Sequence, residues 1–90
     1  MKPNEKLFIN FKKEADSLFK EYSQKINNSD AQTFPFLLPQ FSELSKKIGD
    51  NYILQSNNLL LEKNITSYSN SLMVEILSLC RAKLNSLENQ

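Results

Sequence analysis

Apolar residues recur along the first third of the chain at Leu7, Phe8, Phe11, Ala15, Leu18, Phe19, Tyr22 and Ile26. Steps of three, four and seven gather these side chains on one face, so the spacing predicts a helix over residues 4–27. Pro3 and Asn4 suit its entry, because proline tolerates the first turn and asparagine can cap. Asn27, Asn28, Ser29 and Asp30 form a turn-favouring cluster that ends it. A second stripe, carried by Leu37, Leu38, Phe41, Leu44 and Ile48, predicts a helix over 36–48. Gly49 follows Lys46 and Lys47 and reads as a left-handed stop at the negative end of that helix.

Beyond Gly49 the chain contains neither proline nor glycine. Asp50 is the expected N-cap of a poorer helix over 51–63, whose leucines are interrupted by Gln55, Ser56, Asn57 and Asn58. A short break over 64–67 is expected, with Thr66 or Ser67 capping a last helix over 67–88; without that break, the two run on as one rod. Met73, Leu77, Cys80, Leu84 and Leu87 follow a 4-3-4-3 spacing, an a/d-like seam for bundle packing. Three i,i+4 pairs, Asp16–Lys20, Glu21–Lys25 and Glu43–Lys47, support the helices of the first half. The expected fold class is all-α, a small antiparallel helical bundle of three or four helices forming one domain over 1–90.

Composition narrows the function classes. The chain has no histidine and no tryptophan, one glycine and one cysteine. Without histidine, a general acid/base near neutral pH and the commonest metal ligand are both missing. One glycine leaves no phosphate-cradling loop, and one cysteine with no histidine leaves no zinc pair. Cys80 falls on the apolar seam, where cysteine acts as a small hydrophobe. Glu75 is the only acid lodged within an apolar run, and helical spacing directs it off the core stripe. The reading is therefore non-enzymatic, with no cofactor, metal or small-molecule ligand implied.

Net charge is +1, too weak a footprint for nucleic acid or an anionic membrane. No apolar run approaches the ~20 residues that span a bilayer, and no leader segment is visible. A single cysteine fits a reducing compartment, so the expected location is intracellular, in the cytoplasm.

Two apolar segments exceed what one core stripe needs. Phe34, Phe36, Leu37 and Leu38 are framed by Pro35 and Pro39, and either cap the end of the bundle or form a docking loop. Leu59, Leu60 and Leu61 are consecutive, so at least one must face away from the core. The expected function is a protein–protein interaction module (a small adaptor, regulator or subunit of a larger complex) docking through apolar helix faces. Its partner-binding candidates are Phe34, Phe36, Leu37, Leu38, Leu59 and Leu60, and its partner is another protein or a second copy in a homodimer.

The alternative is a DNA-binding regulator. The run Phe41-Ser42-Glu43-Leu44-Ser45-Lys46-Lys47-Ile48-Gly49 resembles the first helix and turn of a helix-turn-helix motif, with Ser45 small and Gly49 opening the turn. That resemblance implies a recognition helix reaching to residue 58, bearing Tyr52, Gln55, Asn57 and Asn58. Asp50, Gln55 and Asn58 occupy offsets where the motif is apolar, and residues 50–62 carry no Lys or Arg for phosphate contacts.

Overall fold

The computed structural model describes residues 2–89, and three helices account for most of them: α1 (Pro3–Asn28), α2 (Phe34–Leu54) and α3 (Leu59–Glu88). Each helix packs on both others, giving a small all-α bundle 51 Å long and 19 by 15 Å across. Contacts define the directions. Phe11 meets Tyr52 while Phe19 and Tyr22 meet Phe41, so α1 and α2 run antiparallel. Tyr68 bonds Asp16 and Lys83 bonds Asn27, so α3 runs parallel to α1.

The first helix forms where the spacing predicts. Pro3 takes the first helical position and Glu5 lies in the first turn, where the helix dipole favours an acid. At the other end Ser29 turns extended, and its hydroxyl donates to the Ile26 carbonyl at 2.8 Å. Lys83 Nζ reaches across from α3 to the Asn27 carbonyl at 3.0 Å, satisfying another of the orphan acceptors at that end. The buried face is Phe11, Ala15, Tyr22 and Ile26.

Helix α2 begins at Phe34, two residues before the expected start, because Asp30 organises the turn ahead of it. The Asp30 carboxylate accepts from the backbone N–H groups of Gln32 and Thr33 at 3.1 and 2.8 Å. Its carbonyl accepts from Phe34 N–H at 3.1 Å, which leads the chain into the helix. Pro35 sits in the first turn, where its missing N–H is harmless. Pro39 lies deeper and forgoes one backbone hydrogen bond, to the carbonyl of Pro35.

The expected stop at Gly49 does not occur. Gly49 is buried within α2 without a positive φ, and the helix continues past it to Leu54. Glycine costs a helix interior about 1 kcal/mol relative to alanine. Burial beyond it outweighs that cost, because Tyr52 and Ile53 pack against the core. Asp50, expected as a cap, is an exposed residue within α2.

The break falls instead at Gln55–Asn58. Ser56 is 6% exposed, and its hydroxyl accepts from the Asn58 N–H at 3.0 Å. Asn58 Oδ1 accepts from the Leu61 N–H at 3.0 Å and caps α3. The break expected over 64–67 is helical, with Ile65 fully buried. Of the three expected ion pairs, Glu21–Lys25 and Glu43–Lys47 form at 3.9 and 3.5 Å, both exposed. Asp16 turns from Lys20 to Tyr68.

Gly49 packs against α3 with room to spare. A methyl group there would lie 3.6 Å from Ser69 Oγ and 3.7 Å from Ile65 Cγ2, ordinary contact distances. Gly49→Ala is therefore expected to stabilise the fold by about 0.5–1 kcal/mol, read as a higher Tm in thermal unfolding followed by circular dichroism. A lower Tm would mean that α2 ends at this residue after all.

Candidate interaction surface

The four residues between α2 and α3 turn the chain sharply, and the side chains flanking them divide by direction. Leu61 is 4% exposed and enters the core, whereas Leu54, Leu59 and Leu60 are 85%, 75% and 67% exposed. Successive helical residues point about 100° apart, so a core that takes Leu61 cannot take both its predecessors. Leu54 is turned outward because α2 has already placed Tyr52 and Ile53 inward. The result is an apolar corner at one end of the bundle. From it a shallow open groove leads between Ile53 and the Leu59, Lys63, Thr66 and Asn70 positions of α3.

The other candidates separate. Phe34 and Leu37 are 9% and 8% exposed, and Leu38 is half-buried against the core. These three turn inward once the segment becomes the first turns of α2 rather than a loop, which removes Phe34 and Leu37 from any docking surface. Phe36 is 68% exposed. It lies near the start of α2, whereas Leu54, Leu59 and Leu60 flank its far end, so the structure does not bring the proposed set together. Leu54 was not singled out by sequence. Its signal was present in the polar run Gln55–Asn58 that immediately follows it.

The helix-turn-helix geometry is absent. Residues 41–54 form one uninterrupted helix, so no turn opens at Gly49 and no second helix starts at Asp50. Among the described residues no three His, Cys, Asp or Glu side chains converge as a metal site, and no helix is long and apolar enough to cross a membrane. Glu75 is exposed on α3. Cys80 is half-buried, and burial pushes its thiol above the ordinary value, away from the reactive thiolate.

The most perturbed group is structural. Tyr68 packs its ring edge-on against Phe8 and Phe11, and its hydroxyl donates to Asp16 Oδ1. Lys12 Nζ sits 5.3 Å from the centre of the same ring. The hydrogen bond to Asp16, with partial burial behind it, pushes the Tyr68 hydroxyl up to about 12. Glu14 beside Tyr52 raises that hydroxyl in the same direction, again with burial adding to it.

Comparison of the chain with family models, with characterised proteins and with solved structures returns no match.

The tyrosine pair makes a pH-dependent prediction. The folded chain holds the Tyr68 proton to higher pH than the unfolded chain, whose tyrosines titrate near 10.0. The stabilisation from this bond is complete below pH 10.0 and is lost as pH rises towards about 12. Urea unfolding across that window should show stability falling, and Tyr68→Phe should flatten the fall. An alkaline profile identical in the variant would remove Tyr68 as its source.

Proposed function

We propose that the protein is a non-enzymatic interaction module, a small adaptor, regulator or complex subunit, that docks on another protein through the corner between α2 and α3. The observation that carries this reading is the exposure of Leu54, Leu59 and Leu60 on both sides of one tight turn. Each leaves most of its side chain in water, forgoing a large part of the ~1.5–3 kcal/mol that burying a leucine contributes. The fold does not need them. Its core is filled by residues from all three helices, and the turn is held by Ser56 and Asn58 hydrogen bonds. Apolar groups gathered at an end where packing makes no use of them are available to another surface.

The groove beside the corner supports the same reading. Leu59 and Ile53 give it apolar walls, while Lys63, Thr66 and Asn70 supply polar groups that can fix a docked segment in register. An amphipathic helix laid along such a groove would bury its apolar side on the leucines. DNA binding is less well supported, since the segment once aligned with a recognition helix is the end of α2 followed by the turn.

Leu59→Glu with Leu60→Glu tests the assignment. Both side chains are exposed, so the double variant is expected to keep its helicity and to shift unfolding free energy by no more than ~1 kcal/mol. Tagged wild-type protein, cross-linked in its source cells, is expected to capture a partner that the double variant loses. A variant that retains every captured partner would exclude the corner, and one that unfolds would place these leucines in the core.

A further inference from the structure

Helix α3 presents a second uncovered face, and the charges along it select an occupant. Opposite its buried Leu61, Ile65, Leu72 and Ile76, the positions from 60 to 88 repeat at alternating three- and four-residue steps, and every one of them is exposed. The middle and later part of this seam is apolar, with Val74 62%, Leu84 46% and Leu77 37% exposed. This step pattern is the one by which helices pair along their length. Its charges are Lys63 near one end, Glu88 at the other and Arg81 between Leu77 and Leu84. None of the three belongs to an ion pair among the described residues.

We propose that this face pairs with the same face of a second copy of the chain, antiparallel, about a two-fold axis passing between residues 75 and 76. That register sets Val74 against the partner's Leu77 at the centre, twice by symmetry. It sets Lys63 against the partner's Glu88 near each end, again twice. Asn70, whose amide oxygen is an acceptor, meets the partner's Arg81, which can only donate. Glu88 also arrives just past the first turn of the partner's α3, towards the positive end of that helix dipole, and Lys63 at the last turn, the negative end.

The same charges reject the other orientation. A parallel pairing would set Leu60 on Leu60 and Leu84 on Leu84, but it would also set Lys63 on Lys63, Arg81 on Arg81 and Glu88 on Glu88, three like-charge contacts that the antiparallel form replaces with complementary ones. The contact is one helix wide and about 40 Å long, and Ser67 and Asn70 lie within it. Such an area sits at the low end for specific association, so the dimer is weak and concentration-dependent. The inference deepens the reading of the chain as an interaction module by naming a second copy as one partner. The face shares Leu60, Lys63 and Asn70 with the corner and its groove, while Leu54 and Leu59 lie outside the seam.

Sedimentation velocity across a micromolar-to-millimolar series tests it. The mass is expected to rise from 10.4 kDa towards twice that value. Val74→Glu should weaken the dimer at least ~30-fold with helicity unchanged, because it sets carboxylates into the apolar centre of the seam. Lys63→Glu or Glu88→Lys alone should weaken it about fivefold, and the two together should restore it to within about twofold. A monomer at every concentration, a dimer indifferent to Val74→Glu, or a double charge reversal no better than the singles would each overturn the proposal. Leu59→Glu should leave the dimerisation constant unchanged. Failure here with corner-dependent capture of another protein intact would therefore remove the self-pairing and leave the module reading standing.

Discussion

Phe11 is fully buried at the point where the three helices meet, and two tyrosines close on it from different helices. Tyr52 of α2 and Tyr68 of α3 present their ring edges to Phe11 at 5.8 and 5.9 Å. Edge-to-face packing of this kind adds about 0.5–1.5 kcal/mol per pair to the area buried. Both tyrosines keep their hydroxyls at the rim, where the acids of α1 meet them, Asp16 at Tyr68 and Glu14 at Tyr52. One side of α1 therefore supplies the apolar centre of the junction and the acceptors around it. That arrangement suits tyrosine, which is apolar along its body and polar at its tip.

The junction accounts for features that local sequence rules place elsewhere. Tyr52 reaches Phe11 only if α2 continues past Gly49, so the helix runs through its one glycine and cannot stop there. The chain must then turn within the few residues after Tyr52 for Tyr68 to return to the same level. Ser56 and Asn58 are the residues able to make that turn, because their short polar side chains bond the local backbone. Once the turn is fixed there, Leu54 has no inward direction left and Leu59 and Leu60 precede the first inward position of α3. The exposed corner is thus a consequence of where the aromatic contacts set the register, rather than a separate feature of the surface.

This also explains which parts of the structure were legible in the sequence. In α1 a single apolar stripe is flanked by charged residues, so period and boundaries agree and the helix was located to within a residue at each end. In α2 and α3 two kinds of signal conflict. Gly49 is the strongest local punctuation in the chain, yet burial on either side of it exceeds its propensity cost. Asparagine and serine are ambiguous by nature. Asn58 caps a helix and Asn64 lies inside one, and only the burial of Leu61 and Ile65 separates the two cases. The seam of Met73, Leu77, Cys80, Leu84 and Leu87 has stricter spacing than the stripe that is actually buried, but the structure leaves it half-covered or exposed. A helix with apolar residues on more than one side does not reveal from periodicity alone which side its own chain will cover. For the same reason Phe36, Leu59 and Leu60 could be singled out as surplus, while Phe34 and Leu37 could not be separated from them before the start of α2 was known.

A chain with net charge of only +1 has little long-range field with which to attract or orient a partner. Specificity then has to come from contact itself, from which apolar groups meet and which local charges frame them. Both uncovered regions have that character. At the corner, leucines stand beside a groove edged by Lys63, Thr66 and Asn70; on the outer face of α3, Val74 and Leu77 stand between Lys63 at one end and Arg81 and Glu88 at the other. Lys63 and Asn70 belong to both, and the corner's Leu60 is also the first position of the seam, so a partner seated at the corner would cover the end of the seam. A partner docked as proposed on Leu60 and Lys63 would therefore compete with the proposed self-pairing by overlap alone, without any change in the bundle.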